Sequence, residues 1–287
     1  MYKKILLATD TSKYSKGAVK EAINMAKSCD SRLYAMSVIE INPEFIALAP
    51  LLMEKQEKTV KKHLEKIRDM AAQKNVECEI IIREGDKPHN MIIEEADKKN
   101  AELIVMGRRG RTGLAKVLMG SETARVIGHT ICKVLVVPRS SSIKWKRIII
   151  ATDGSKYSKA AVRESIRMAK QCTGLPTRQG GQAGQANTSI LSALAVIPEY
   201  ATEEETKTAT NAVREIKRNA EKENIKSETA VLTGNPFETI VKFAKKKNAD
   251  IIVMGSHGRT GIQRLLMGSV AERVIGHAEC AVLVVKA

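Results

Sequence analysis

The residues whose chemistry is easiest to read are glycines at a repeated spacing. In residues 250–277, DIIVMGSHGRTGIQRLLMGSVAERVIGH, Gly255 and Gly258 stand three positions apart, and Gly268 follows with Ser269 directly behind it. The pattern G-x2-G-x9-G-S recurs at Gly107, Gly110, Gly120 and Ser121. Glycine permits positive φ and lets backbone N–H groups come close to a ligand. A serine that opens a helix adds unpaired amides and the positive end of the helix dipole. An apolar strand, a glycine loop and a helix N-terminus in that order make a cradle for phosphate. The competing reading of the same glycines is tight turns with no ligand.

Other polar groups gather around this pattern. Asp10 and Asp153 end the Ala-Thr-Asp triplets 8–10 and 151–153. A carboxylate there can accept from ribose hydroxyls, face a phosphate-bound Mg²⁺, or cap the helix that follows. Arg108, Arg109 and Arg111 in one stretch, and His257 and Arg259 in the other, can reach phosphate oxygens. They also read as exposed loop charges, which is the reading favoured for Arg108. His129 and His277 end helix-patterned segments and read as C-terminal capping groups rather than acid–base groups. Neither GxxxxGK[ST] nor GxGxxG is present. The five cysteines (Cys29, Cys78, Cys132, Cys172, Cys280) are odd in number and widely spaced, without CxxC. They predict reduced structural thiols in a cytosolic protein. With no positioned base, finger arginine or metal cluster in the sequence, no reaction is legible beyond, at most, a weak ATPase.

These groups need elements to position them, and the chain provides them twice. Residues 3–27 reappear as 146–170, and both halves close on VLVV, at 134–137 and 282–285. Between 107–137 and 255–285, 19 of 31 aligned positions are identical, so the chain is a duplicated domain. The polar run 138–144 marks the boundary, which predicts one domain over 1–139 and a second over 145–287. In the first half, strands are predicted at 3–9, 32–39, 77–82, 102–106 and 133–137, with helices at 14–28, 52–74, 88–99 and 121–128. Ala18, Val19, Ala22, Ile23 and Ala26 share one helix face; Val60, Leu64, Ile67 and Ala71 form the stripe of the long helix. This alternation predicts an α/β fold, a parallel sheet with helices on both faces. Right-handed crossovers bring the loops after strands one, two and four to the carboxyl edge.

Two segments break the repeat. Residues 173–189 are Gly/Gln-rich and read as a flexible loop. Residues 45–53 are apolar and read either as a loop packed on its own domain or as an exposed lid or subunit contact. The net charge is +16, but the Lys runs at 61–62, 98–99 and 245–247 fall on helix patterns and read as solvated faces. Aromatics are only 3 % of the chain and are not interleaved with the charges, which disfavours a nucleic-acid partner. The sequence shows no signal-peptide opening and no apolar run of membrane length, so the expectation is a cytoplasmic protein with no membrane partner.

The duplicated halves, the Ala-Thr-Asp triplets, the glycine spacing and the VLVV closures together resemble the universal stress protein family, as a tandem member with the ATP-binding form of the motif. The resemblance covers both halves almost end to end, apart from the two breaks. It implies two tandem Rossmann-like (adenine nucleotide alpha hydrolase-like) domains, each a five-stranded parallel sheet of order 3-2-1-4-5. It implies an adenine nucleotide (ATP, ADP or AMP), with Mg²⁺ a candidate companion near Asp10 and Asp153. Phosphates would lie over Gly107, Gly110, Gly120 and Ser121 near Arg109, or over Gly255, Gly258, Gly268, Ser269 and Val270 near His257 and Arg259. Adenosine would lie against Ala8, Thr9, Asp10 and Val38, or against Ala151, Thr152, Asp153 and Val196. The implied role is a nucleotide-dependent regulator in stress response with a protein partner of unknown identity. The halves are expected to pair edge to edge through their last strands as a pseudo-dimer, and a further homodimer is left open. The alternatives are a slow ATPase or nucleotidyl-transfer enzyme on the same cradle, or a basic nucleic-acid-binding scaffold. One departure separates the halves: Glu122 stands where the second half has Val270. Its carboxylate either favours the helix dipole with the side chain turned away or competes with an incoming phosphate and weakens the first site.

Overall fold

The computed structural model describes residues 2–41, 50–110, 119–172, 189–258 and 267–287. Contacts divide the chain into two compact units, Tyr2–Ser140 and Ser141–Ala287. The first unit runs β1 (Lys4–Ala8), a 3-10 turn (Lys13–Ser15), α1 (Lys16–Cys29), β2 (Arg32–Glu40), α2 (Pro50–Ala72), β3 (Cys78–Gly85), α3 (Pro88–Lys99), β4 (Leu103–Gly107), α4 (Ser121–His129) and β5 (Lys133–Val137). The second runs β6 (Arg147–Thr152), α5 (Lys156–Cys172), β7 (Ile190–Ile197), α6 (Glu203–Lys222), β8 (Lys226–Thr233), α7 (Pro236–Lys246), β9 (Ile251–Gly255), α8 (Ser269–His277) and β10 (Ala281–Val285).

The first unit has the strand order β3-β2-β1-β4-β5 and the second β8-β7-β6-β9-β10, with parallel pairing throughout each. Each is the 3-2-1-4-5 arrangement. The inner strands are apolar without alternation: every residue of β4 and β9 is buried, because helices cover both faces of a parallel sheet. The outer strands β3 and β8 are half-exposed and carry charges such as Glu79 and Glu228, which blunts an edge. Helices α1 and α5 pack on the central strands, while α2 and α6 cover the outer pairs.

Local chemistry sets where the helices start and stop. Asp30 and Asn100 adopt left-handed backbone, φ 52° and 53°, and return their N–H groups to Ala26 and Ala96 carbonyls. Asp and Asn tolerate that conformation better than most residues. Pro88 and Pro236 stand at the first turns of α3 and α7, where a missing N–H costs nothing. A reciprocal pair, Thr202 and Glu205, caps α6: the Thr202 hydroxyl accepts from the Glu205 N–H, and the Glu205 carboxylate accepts from the Thr202 N–H.

The expected helix at 14–28 begins as a 3-10 turn and becomes α-helical at Lys16. Helix α2 starts at Pro50, so the end of the apolar stretch 45–53 is helical; residues 45–49 and residues 173–188 of the insertion lie outside the described residues. Among the described residues no helix is long and apolar enough to cross a membrane. Cys29, Cys78, Cys132 and Cys280 form no disulfide, and burial pushes the Cys78 thiol up to about 11 and the Cys280 thiol up to about 12.

Candidate functional site

The second unit holds a cavity of about 470 Å³ at the carboxyl edge of its sheet. Strand β6 brings Ala151, Thr152 and Asp153 to its wall, and β7 brings Val196 and Ile197. Helices α6 and α7 contribute Ala209, Ala212, Pro236 and Ile240; the loop after β9 contributes Gly255, His257 and Gly258; and the start of α8 contributes Gly268, Ser269 and Val270.

Each glycine of the motif has a separate physical reason. A Cβ on Gly255 would lie 2.7 Å from the Tyr157 backbone, so this glycine lets the end of β9 pack against the start of α5. A Cβ on Gly258 would lie 2.9 Å from Asp153 Oδ2. A Cβ on Gly268 would crowd the Ser256 carbonyl at 3.3 Å, the same carbonyl that accepts from the Gly268 N–H at 2.9 Å. Gly268 is also the N-cap of α8 and offers no side-chain acceptor, so the cap leaves the first amides of that helix to other partners.

Asp153 holds the turn that follows it and also faces the glycine loop. Its Oδ1 accepts from the Ser155 N–H at 3.0 Å, fixing the turn into α5, while Oδ2 is directed at Gly258. Gly154, at φ 80°, makes that turn, and its N–H donates to Thr152 Oγ1 at 3.2 Å. The Thr152 hydroxyl donates to Ser158 Oγ at 3.1 Å. The His257 ring packs on Tyr157, centroids 5.2 Å apart, with Nδ1 3.1 Å from the hydroxyl of the fully buried Ser256. His257 is therefore held in place at the cavity wall.

The first unit repeats the frame, with different side chains set around it. Asp10 Oδ1 accepts from the Ser12 N–H at 3.1 Å and its hydroxyl at 2.7 Å, and a Cβ on Gly110 would lie 3.3 Å from Asp10 Oδ2. Gly107 packs against the 3-10 turn, where a Cβ would come within 3.2 Å of the Tyr14 carbonyl. A Cβ on Gly120 would lie 3.5 Å from Arg109 Cα and from the Gly110 nitrogen. Ala8 ends β1, Thr9 and Asp10 follow it, and Val38 lies near the end of the neighbouring β2. Thr9, however, meets His63 of α2, with Oγ1 and Nε2 3.2 Å apart. Glu122 accepts from the His89 N–H at 2.8 Å, lies 3.1 Å from His89 Nδ1, and accepts from Arg125 at 2.8 Å. Its side chain thus turns onto the first turn of α3.

Of the anticipated residues in the second unit, all except Arg259 line the cavity; Arg259 and Arg111 lie outside the described residues. Arg108 departs from its reading as an exposed loop charge. It is half-buried, and burial together with the charge of Arg109 holds its guanidinium below the usual range. Arg109 Nε is buried and has no hydrogen-bond partner among the described residues. At the ends of the last helices, His277 Nδ1 lies 2.7 Å from the Arg273 carbonyl, a C-terminal capping contact, and His129 packs against His89. Sequence reasoning missed Ala209, Ala212 and Ile240. The helix period marks Ala209 and Ile240 as core positions, but nothing local says that their face ends at a cavity. Among the described residues no group of three or more His, Cys, Asp or Glu side chains is placed to hold a metal ion.

Comparison with known proteins places this frame. Residues 1–138 and 144–286 each match the model of the universal stress protein family. The universal stress protein MJ0531 of Methanocaldococcus jannaschii is 41 % identical over 144 residues, 48 % of this chain and 84 % of that one. A universal stress protein of Mycolicibacterium smegmatis is 25 % identical over 98 % of this chain and 96 % of its own. The crystal structure of a universal stress protein from Archaeoglobus fulgidus superposes with a TM-score of 0.73 at 23 % identity, covering 99 % of this chain and 96 % of that one, a likeness that bears on the fold. With both halves matched almost end to end and the sheet order repeated in each, the chain belongs to the universal stress protein family.

Proposed function

We propose that the second unit binds an adenine nucleotide, and that the chain is a nucleotide-dependent regulator acting in stress response in the cytoplasm. The observation that carries this reading is the cavity of about 470 Å³ and its two unlike ends. Its size is in the range of small-ligand sites, roughly 300–1,000 Å³. One end, between Val196, Ile197, Ala209 and Ala212, is apolar and suits a purine. The other, between Gly258 and the start of α8, offers backbone amides and the positive end of a helix, which suit phosphate. Asp153 Oδ2, beside Gly258, suits ribose hydroxyls or a Mg²⁺ that the nucleotide phosphates also hold. Turnover is not part of the reading. Of the two cavity carboxylates among the described residues, Asp153 uses Oδ1 for the Ser155 N–H and Glu205 accepts from the Thr202 N–H.

The test is to purify the protein without added nucleotide, denature it, and identify what is released by chromatography and mass spectrometry. Release of ATP, ADP or AMP in near-stoichiometric amount is the expected result. A protein that releases none, and shows no ATP uptake in calorimetry, would overturn the proposal.

A further inference from the structure

We infer that the first unit fills its own cleft, so that the chain takes up one nucleotide, in the second unit. The inference rests on the reading of the second-unit cavity as the nucleotide site. The buried stripes of α2 and α6 superimpose in sequence: Val60, Leu64, Ile67 and Ala71 match Ala209, Val213, Ile216 and Ala220. That register puts His63 in the place of Ala212, which lines the second-unit cavity. The imidazole lies against Thr9, with Nε2 3.2 Å from Oγ1, while the same hydroxyl donates to the Asp10 carbonyl; the matching Thr152 bonds Ser158 and the Gly154 N–H. A ring therefore stands over the end of β1 where the second unit has only a methyl group.

The other end of the cleft differs in the same sense. Glu122 takes the place of Val270, one residue beyond Ser121, and the His89 N–H and Arg125 hold its carboxylate between the first turns of α3 and α4. A phosphate approaching that helix end would meet a fixed negative charge, and repulsion would offset the attraction of the dipole. Arg125 neutralises part of the charge, but it also keeps the carboxylate where it is. One replacement fills the base end and the other charges the phosphate end.

The experiment is calorimetric titration with ATP. The wild-type chain is expected to bind one equivalent, and Gly258→Val none. Adding His63→Ala and Glu122→Val to the Gly258→Val chain is expected to restore binding of about one equivalent. Two equivalents in the wild type would overturn the inference and leave the proposed function standing. No uptake by the wild type would overturn the proposed function, and the inference with it. A folded triple variant that takes up no ATP would show that these two side chains are not what closes the first unit. Photolabelling of the wild type with 8-azido-ATP, followed by peptide mapping, needs no variant to fold. Label confined to second-unit peptides supports the inference, and label on the β1 or β2 peptides of the first unit overturns it.

Discussion

Thr9 and Thr152 hold matching places in the two units, yet Thr9 meets an imidazole from α2 while Thr152 lines a cavity that the small side chain of Ala212 also lines. The frames around them are nearly the same. In both units the aspartate of the Ala-Thr-Asp triplet uses Oδ1 to hold the next turn and directs Oδ2 at the second glycine of the motif. In both units the first glycine of the motif packs against the entry to the first helix, the 3-10 turn before α1 or the first turn of α5. The residues that build the loop are therefore distinct from those that leave room beside it. The glycine pattern closes strand on helix in both units, whatever side chain the neighbouring helix places beside it.

The comparison can be broken most directly at the second glycine. Gly258→Val is expected to weaken ATP binding at least about 100-fold, roughly 2.7 kcal/mol, because the branched side chain would take up the phosphate end of the cavity that Gly258 lines and would displace Asp153 Oδ2, 2.9 Å from its Cβ. Gly110→Val should leave the titration unchanged, and equal losses from both variants would contradict the difference drawn between the units. A smaller effect is expected from giving the second unit the residue of the first. Ala212→His should weaken binding by about tenfold, roughly 1.4 kcal/mol, measured by the same titration.

Support of the cavity wall is a weaker lever. Removing the Thr202 hydroxyl in Thr202→Ala leaves the Glu205 N–H without its cap. This should cost about 1 kcal/mol of stability in urea denaturation while changing affinity little.

The smallest effect at neutral pH concerns Cys280, the counterpart of Cys132; burial pushes both thiols up, Cys280 to about 12. A thiol whose folded pKa is raised contributes stability that is complete below its unfolded value, 9.0, and is lost as pH rises from there toward about 12. Cys280→Ala should therefore flatten the alkaline loss of stability across that window in denaturation curves, and an unchanged slope would count against burial as the cause.

Much of the frame was legible along the chain, because strand and helix periods and turn residues act over a few positions. Helix α3 and strand β5 fall at 88–99 and 133–137, as their apolar patterns and Pro88 predict. Strand β3 was read too short, at 77–82 rather than Cys78–Gly85. Its last residues, Arg83 to Gly85, look like a turn in sequence, but pairing with β2 as far as Glu40 and Gly85 keeps them extended. The motif glycines and the two aspartates were likewise visible from spacing and repetition alone.

What the sequence determined by itself was the duplication, the alternation of strands and helices, and which loops meet at the carboxyl edge of each sheet. Only the tertiary structure decided which side chains from other elements stand beside those loops. His63 reaches Thr9 from 54 positions away, and Glu122 reaches His89 from 33. Periodicity is set by neighbours in the chain, whereas a cavity is the space left between side chains from several elements. Whether that space is filled by an imidazole or left open beside Ala212 depends on packing that no local pattern records.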